Sequence, residues 1–277
     1  MKIPRKECLK RLRNTIKDKE PIIGVGAGTG ISAKCAEKGG ADIIIIYNSG
    51  RYRMAGRGSM AGLMPYGDAN AVVMEMAGEV LPVVKDTPVL AGVCGTDPFR
   101  LMEVYLKGLA RIQFSGVQNF PTVGVYERNT VARENYETTG MGYDLEVDMI
   151  AKANELDLLS CSYAFTEEEA KQMAGAGADI RVAHRGRTVR GSIGAEVAMT
   201  LEQASVKVQK IHDAAKSVNP DVMVICHGGP ISEPGDAEYV LKNTDGVVGF
   251  FGASSIERLA AEKAITEQTS AFKAIKL

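Results

Sequence analysis

The sequence predicts an α/β protein, a (β/α)8 TIM barrel with an additional N-terminal helix, and three observations carry that prediction. Eight short apolar, β-branched runs recur along the chain, each leading into Gly, Asn, Ser or His and then into a helical pattern. The chain has 277 residues, enough for eight such units as a single barrel domain over 1–277, with 1–20 as a helical piece packed on the barrel. The joint Lys38-Gly39-Gly40-Ala41-Asp42-Ile43 returns as Gly175-Ala176-Gly177-Ala178-Asp179-Ile180, an echo expected between barrel halves. An open doubly wound sheet is the alternative. Its dinucleotide turn would fall at 24–30, but neither frame there completes G-x-G-x-x-G, because Thr29 or Ile31 stands where the third glycine belongs.

The elements follow in order. A basic amphipathic helix is expected over 5–17, and strands over 21–26, 42–48, 88–94, 116–120, 158–163, 180–184, 222–227 and 247–252. A helix over 31–37 closes on Gly39 and Gly40. Asp97 and Pro98 read as the cap and first-turn proline of a helix over 99–111, and Thr166 with Glu167, Glu168 and Glu169 as a capping box before 170–174. Longer helices cover 196–216 and 255–275. Two long loops, 49–70 after strand two and 121–143 after strand four, lie on the face where barrel enzymes carry their chemistry.

Composition narrows the function classes. Thirty-three Lys and Arg against 34 Asp and Glu give a net charge of -1, which offers no global field for nucleic acid or an anionic membrane. No tryptophan and 6% aromatic residues argue against a base-stacking platform. The five cysteines form no C-x-x-C pair, so neither a disulfide framework nor a zinc cluster is indicated. The charged N-terminus lacks the apolar run of a signal peptide, and no apolar stretch approaches a membrane span. The expectation is a cytoplasmic chain with no membrane partner.

In a barrel, the residues closing each strand converge on one mouth. Gly26 ends strand one; Asn48, Ser49, Arg51 and Arg53 follow strand two; Gln118 and Asn119 end strand four, and Tyr163 strand five. His184 and Arg185 close strand six, His227, Gly228 and Gly229 strand seven, and Gly252, Ser254 and Ser255 strand eight. Arg51, Arg53 and Arg57 form one cationic cluster, and Arg185, Arg187 and Arg190 another. A guanidinium fork binds carboxylate or phosphate at two points, so together they suggest a small anionic ligand, although any one of them is equally explained by a surface ion pair. Gly228-Gly229-Pro230 and Gly252 to Ser255 supply free backbone N–H groups where barrels bind phosphate; helix capping by Ser254 or Ser255 is the competing reading. His184 and His227 are the candidates for proton transfer, with Gln118 or Asn119 as oxyanion donors. No D-x-D or H-x-H spacing joins His184, His227, Asp97, Glu127 and Glu233, so no metal site or resident cofactor is expected, with Mg²⁺ carried in by a phosphate as the open alternative. Cys94 reads as packing.

These motifs carry a family resemblance. GVGAGTGISAK at 24–34, YNSGRYR at 47–53, GVQNFPTVG at 116–124, CHGGP at 226–230 and GFFGASSIER at 249–258 together resemble the phosphoenolpyruvate hydrolase-like family of TIM-barrel proteins. That family looks like a branch of the phosphoenolpyruvate/pyruvate barrel superfamily. Some members are described as signal-transduction barrels, and relatives form the barrel half of plant virus-resistance proteins. The resemblance implies a hydrolase or lyase acting on an enol phosphate or small anionic oxoacid by acid/base chemistry at the C-terminal face. The alternative is a non-catalytic ligand-sensing or signal-transduction barrel that binds a small anion or a protein partner. Superfamily cousins hold Mg²⁺ through D-x-D after strand three and an acid after strand four. Here Gly92-Val93-Cys94 and Gln118-Asn119 stand at the matching places, so the acids are missing. A homo-oligomer is expected from the alanine-rich, mixed-charge last helix and the long loops.

Overall fold

A computed structural model describes residues 2–184 and 199–277. Eight strands, β1 (Ile22–Ala27), β2 (Ile43–Ile46), β3 (Val89–Val93), β4 (Gly116–Asn119), β5 (Leu159–Ala164), β6 (Ile180–His184), β7 (Met223–His227) and β8 (Val247–Gly252), pair in parallel in chain order. β8 pairs back onto β1, so the sheet is a closed barrel and the open-sheet alternative is excluded. β6 and β8 coincide with the expected runs, and the other six differ by one or two residues at their ends. The strands read as unbroken apolar runs because helices cover their outer faces while side chains fill the inside: all four isoleucines of β2 are fully buried.

The helices are α1 (Arg5–Lys17), α2 (Gly30–Lys38), α3 (Asn48–Met54), α4 (Ala69–Val80), α5 (Met102–Arg111), α6 (Val131–Thr138), α7 (Tyr143–Glu155), α8 (Glu167–Gly175), α9 (Leu201–Val218), α10 (Pro234–Lys242) and α11 (Leu259–Lys273). Several of them correct the expectations. The stretch 49–70 is not open loop: it holds α3 and a 3-10 turn at Ser59–Leu63, and Asp68 then caps α4 by accepting from Ala71 N. The stretch 121–143 holds α6, capped by Thr130. Asp97 caps no helix. Its carboxylate is taken by Phe99 N, Asn70 Nδ2 and Arg100, and α5 begins later, at Met102. Thr166 does cap α8, but Glu169 reaches back to Phe165 N at 2.9 Å instead of closing a box; the reciprocal box stands at Thr200 and Gln203. The last helical segment begins as a π turn at Ser254–Arg258 before α11.

The repeated joint has a structural meaning. Asp42 accepts from Ile23 N at 2.7 Å and from Thr15 of α1, while Asp179 accepts from Ser160 N at 3.0 Å and from Arg5 of α1 at 2.7 Å. Each aspartate ties the start of its own strand to the preceding one or its counterpart, and both pin α1 beneath the barrel floor, where Cys8 and Leu12 are buried.

One part of the helical layer departs from the barrel pattern. Of α11, only Leu259 is buried, and Ile265 and Phe272 are 67% and 65% exposed. The outer wall of β8 and β1 is left as an apolar groove of about 940 Å³ lined by Ile23, Leu241, Val248, Phe250 and Ile256. Among the described residues, no helix is long and apolar enough to cross a membrane.

Candidate functional site

A pocket of about 280 Å³ opens at the C-terminal ends of the strands. Tyr47, Ser49 and Arg53 come from the end of β2 and from α3, and Ser59, Met60 and Leu63 from the 3-10 turn. Phe120 and Val125 follow β4, Tyr163 and Phe165 belong to β5 and its loop, His184 and His227 end β6 and β7, and Ala253 and Ser254 follow β8.

Arg53 is the charged centre of this mouth. It is 3% exposed; Nη2 donates to Glu257 at 2.9 Å and to Gly26 O at 3.3 Å, and Nη1 lies 3.5 Å from the Tyr47 hydroxyl. Burial works against its charge, but Tyr47 and Glu257 hold the guanidinium above its ordinary value. Its Nε is buried and has no partner. The π turn brings Glu257 inward, where its second oxygen accepts from Gly28 N at 2.5 Å. The glycine run of β1 serves this packing. A Cβ on Gly26 would sit 2.6 Å from the Tyr47 hydroxyl, and one on Gly28 would sit 2.1 Å from Gly50 O.

The two histidine rings lie 4.6 Å apart, edge to face, and Tyr163 stands within 5.5 Å of both. His227 Nδ1 is 2.7 Å from Phe251 O. A carbonyl only accepts, so Nδ1 carries the proton and Nε2 keeps its lone pair. Burial, against the pull of Phe251 O and helped by Arg53, brings His227 down to about 4, so the ring is neutral at pH 7. Three serines link the loops after β2 and β8: Ser49 donates to Ser59 O at 2.6 Å, and the Ser59 and Ser254 hydroxyls meet at 3.2 Å.

The structure thus brings Ser49, Arg53, Tyr163, His184, His227 and Ser254 together. Several other candidates stand elsewhere. Arg51 pairs with Glu75 at 2.6 Å on the surface, because residues two apart on a helix face opposite sides. Asn119 turns outward, donating to Glu146 at 2.6 Å and accepting from Tyr163 N at 2.7 Å, so strand alternation makes it a support rather than an oxyanion donor. Gln118 faces the barrel interior with Nε2 3.8 Å from Cys161 Sγ and does not line the pocket. Asn48 donates to Gly62 O and accepts from Ser49 N, holding the 3-10 turn. Gly228 and Gly229 have φ of 77° and 60° and shape the turn after β7; Gly252 leaves room for Ile256; Ser255 lines the outer groove. Arg185, Arg187 and Arg190 lie outside the described residues, and Arg57 is exposed. Among the described residues the mouth is therefore not the cationic patch expected, since Arg53 is balanced by Glu257. Tyr47, Glu257, Phe120 and Phe165 were missed by sequence reasoning. Only the resemblance of 249–258 as a block could have pointed to Glu257.

The ends of β3 and β4, where the sequence resemblance raised the question of Mg²⁺, do not fit a hard cation. Burial pushes the Cys94 thiol up, Asp97 is engaged by Arg100 and Asn70, and Asn119 by Glu146; no metal-ligating cluster occurs among the described residues.

The protein is thus a closed parallel (β/α)8 barrel with a pocket at the C-terminal ends of its strands. The chain belongs to the phosphoenolpyruvate hydrolase-like family, whose pattern matches residues 7–275. It is 60% identical over 269 residues to the ToMV susceptible protein tm-1(GCR26) of Solanum lycopersicum, covering 97% of this chain and 35% of that protein. The chain therefore spans about a third of the length of that relative. Among solved structures, oxaloacetate acetylhydrolase in complex with oxalate superposes with a TM-score of 0.61 at 15% identity, over 98% of this chain and 88% of the other. A 2,3-dimethylmalate lyase, a PEP mutase/isocitrate lyase superfamily member, gives 0.57 at 15% identity over 96% and 87%. These two share its fold.

Proposed function

We propose that the barrel is a hydrolase or lyase acting on a small anionic oxoacid or enol phosphate by acid/base chemistry at its mouth. The observation that carries this reading is the neutral tautomer of His227 fixed by Phe251 O, whose Nε2 lone pair is left available beside His184 in a pocket that Arg53 also lines. With an oxoacid, His227 Nε2 removes a proton from the carbon next to the carbonyl; the C–H electron pair becomes the C=C bond of an enolate, the carbonyl π pair moves onto oxygen, and the imidazolium holds the proton for return to carbon. Arg53 and the serine hydroxyls hold the carboxylate. Glu257 keeps the guanidinium in place, so no reorganisation is needed as charge develops. The family description and the oxaloacetate and dimethylmalate chemistry named for the structural neighbours support the reaction class.

Thermal-shift titration with phosphoenolpyruvate, pyruvate and oxaloacetate, with and without Mg²⁺, followed by turnover assays on His227→Gln, tests the reading. Stabilisation by at least one acid and a loss of turnover of about a hundredfold or more in the variant are expected. Failure of every acid to stabilise the protein removes the reading. Binding without turnover replaces it with a ligand-sensing barrel.

We also propose self-association. The groove on β8 and β1 lies where the helix after β8 would pack, and α11, with its exposed Ile265, Phe272 and Ile275, lacks such a surface of its own. A second copy's α11 is the occupant proposed. Light scattering should give a multiple of 29.6 kDa, and Phe272→Glu should reduce it.

A further inference from the structure

We infer that self-association and ligand binding are linked through the π turn at Ser254–Arg258, so that a second copy's helix in the outer groove steadies the mouth for its ligand. The inference rests on both readings above, the second copy's α11 in the groove and the acid/base site, and adds the connection between them. The turn is a wall that the two cavities share. On its inner side Ser254 lines the pocket, and its hydroxyl meets that of Ser59 at 3.2 Å. Glu257 also faces inward, accepting from Arg53 Nη2 at 2.9 Å and from Gly28 N at 2.5 Å. On the outer side Ser255 and Ile256 line the groove, followed by Leu259 at the start of α11. Residues adjacent in the chain thus serve opposite cavities, and single turns of π helix are common at functional sites.

What covers the groove sets how firmly the turn is held. In the single chain Ser255 and Ile256 are only half-buried, and Ile256 packs on Gly252, where a Cβ would sit 2.5 Å from its side chain. Ile23, Leu241 and Val248 of the same groove are also only partly buried. The chain's own α11 buries Leu259 alone and is held to the start of α10 by Lys263, which donates to Glu233 at 2.8 Å. Ile265 and Phe272, seven residues apart, fall on one face of α11 and are the surface a second copy brings to the groove. Seated there, they take Ile256 out of water, which favours the arrangement of the turn that keeps Glu257 on Arg53 and Ser254 on Ser59. A mouth held in that arrangement for a larger fraction of the time has a higher apparent affinity by the same fraction. Linkage is reciprocal, so a ligand held by Arg53 and the serine hydroxyls tightens the assembly by the same factor.

The test compares the wild-type protein, above its association midpoint in analytical ultracentrifugation, with Phe272→Glu, a change at a residue that lines neither cavity. The first measurement needs no ligand. The Gly28 N–H is bonded to Glu257, so its hydrogen exchange, read by mass spectrometry, reports whether the turn is held. Exchange should be about fivefold or more slower in the assembled wild type than in the variant or in wild type diluted below the midpoint. Equal rates overturn the role of the turn, and a wild type that stays monomeric overturns the inference together with self-association. The second measurement titrates phosphoenolpyruvate, pyruvate and oxaloacetate into both proteins. At least one acid should bind about fivefold or more tighter to the assembled wild type and lower its association midpoint by the same factor. Equal affinities overturn the linkage and leave the acid/base reading standing, whereas no binding by any of the three acids overturns both.

Discussion

Arginine is buried both in the mouth and behind β4, β5 and β6, and the two regions use it differently. In the mouth, Arg53 is paired with Glu257, lines the pocket, and keeps a buried Nε without a partner. Behind β4, β5 and β6, in the layer between strands and helices, Arg133 donates to Glu169 at 3.0 Å, to Glu137 at 2.6 Å and to Val123 O at 2.9 Å. Nearby, Arg181 has one bond, to Ser162 Oγ at 2.7 Å, while its Nε and Nη2 have none, and burial pulls it down to about 10. In the same layer, burial pushes Glu146 up to about 8 against the pull of Thr122, Asn119 and Val123 N. The comparison teaches that a buried charge does not by itself mark a site. The outer network tethers α6, α7 and α8 to the strands, whereas the Arg53–Glu257 pair stands at the pocket.

The sharpest way to break the comparison is to remove each acid. Glu257→Ala should cost about 3–5 kcal/mol in denaturant unfolding, because it removes the acid paired with a buried guanidinium; Glu169→Ala should cost less, because Arg133 keeps Glu137 and Val123 O. Only Glu257→Ala should also abolish stabilisation by ligand. Equal losses of ligand response in both variants would mean that the two regions are not functionally distinct.

The next effect is pH dependence in the mouth. His227 titrates near 6.5 when unfolded and at about 4 in the fold, so between these values the unfolded chain binds more protons. Stability is whole above pH 6.5 and falls as pH drops toward 4, by about 3 kcal/mol in all. His227→Gln should flatten this slope in urea titrations across pH 4–7. A slope unchanged in the variant would assign the acid sensitivity elsewhere.

Smaller again is Arg181→Met, which removes a buried charge with two unsatisfied nitrogens and should raise stability by about 1 kcal/mol, within the range seen for such replacements. A loss of several kcal/mol would show that Arg181 holds the outer layer as Arg133 does. Smallest is Arg51→Ala. Its exposed pair with Glu75 should be worth less than about 1 kcal/mol, and ligand binding should not change, in contrast to Arg53→Ala.

The barrel was legible because its signal is local and repeated: an apolar run, a polar strand end and a helix, eight times. Asp42 and Asp179 even betrayed the half-barrel echo. Part of the mouth was legible for the same reason, since His184, His227 and Tyr163 end strands and a strand end in a barrel has one destination. Side-chain direction was harder to read. Arg51 and Arg53 lie two residues apart in α3 and part to opposite sides, and neighbouring Gln118 and Asn119 face the interior and the helical layer. Asp97 carried the residue type of a cap and became an ion-pair partner, because Arg100 and Asn70 reach it first.

The sequence by itself determined the eight strands, the strand-end histidines and serines, and the lack of acids at the ends of β3 and β4. Local propensity and the period of the apolar pattern are properties of neighbouring residues, and they survive without knowledge of the fold. The tertiary structure alone decided that Glu257, more than two hundred residues from Arg53, would neutralise it. It also set the His227 proton on Nδ1 through Phe251 O. Charge balance and tautomer depend on distances across the barrel, and those distances exist only once the eight strands have closed.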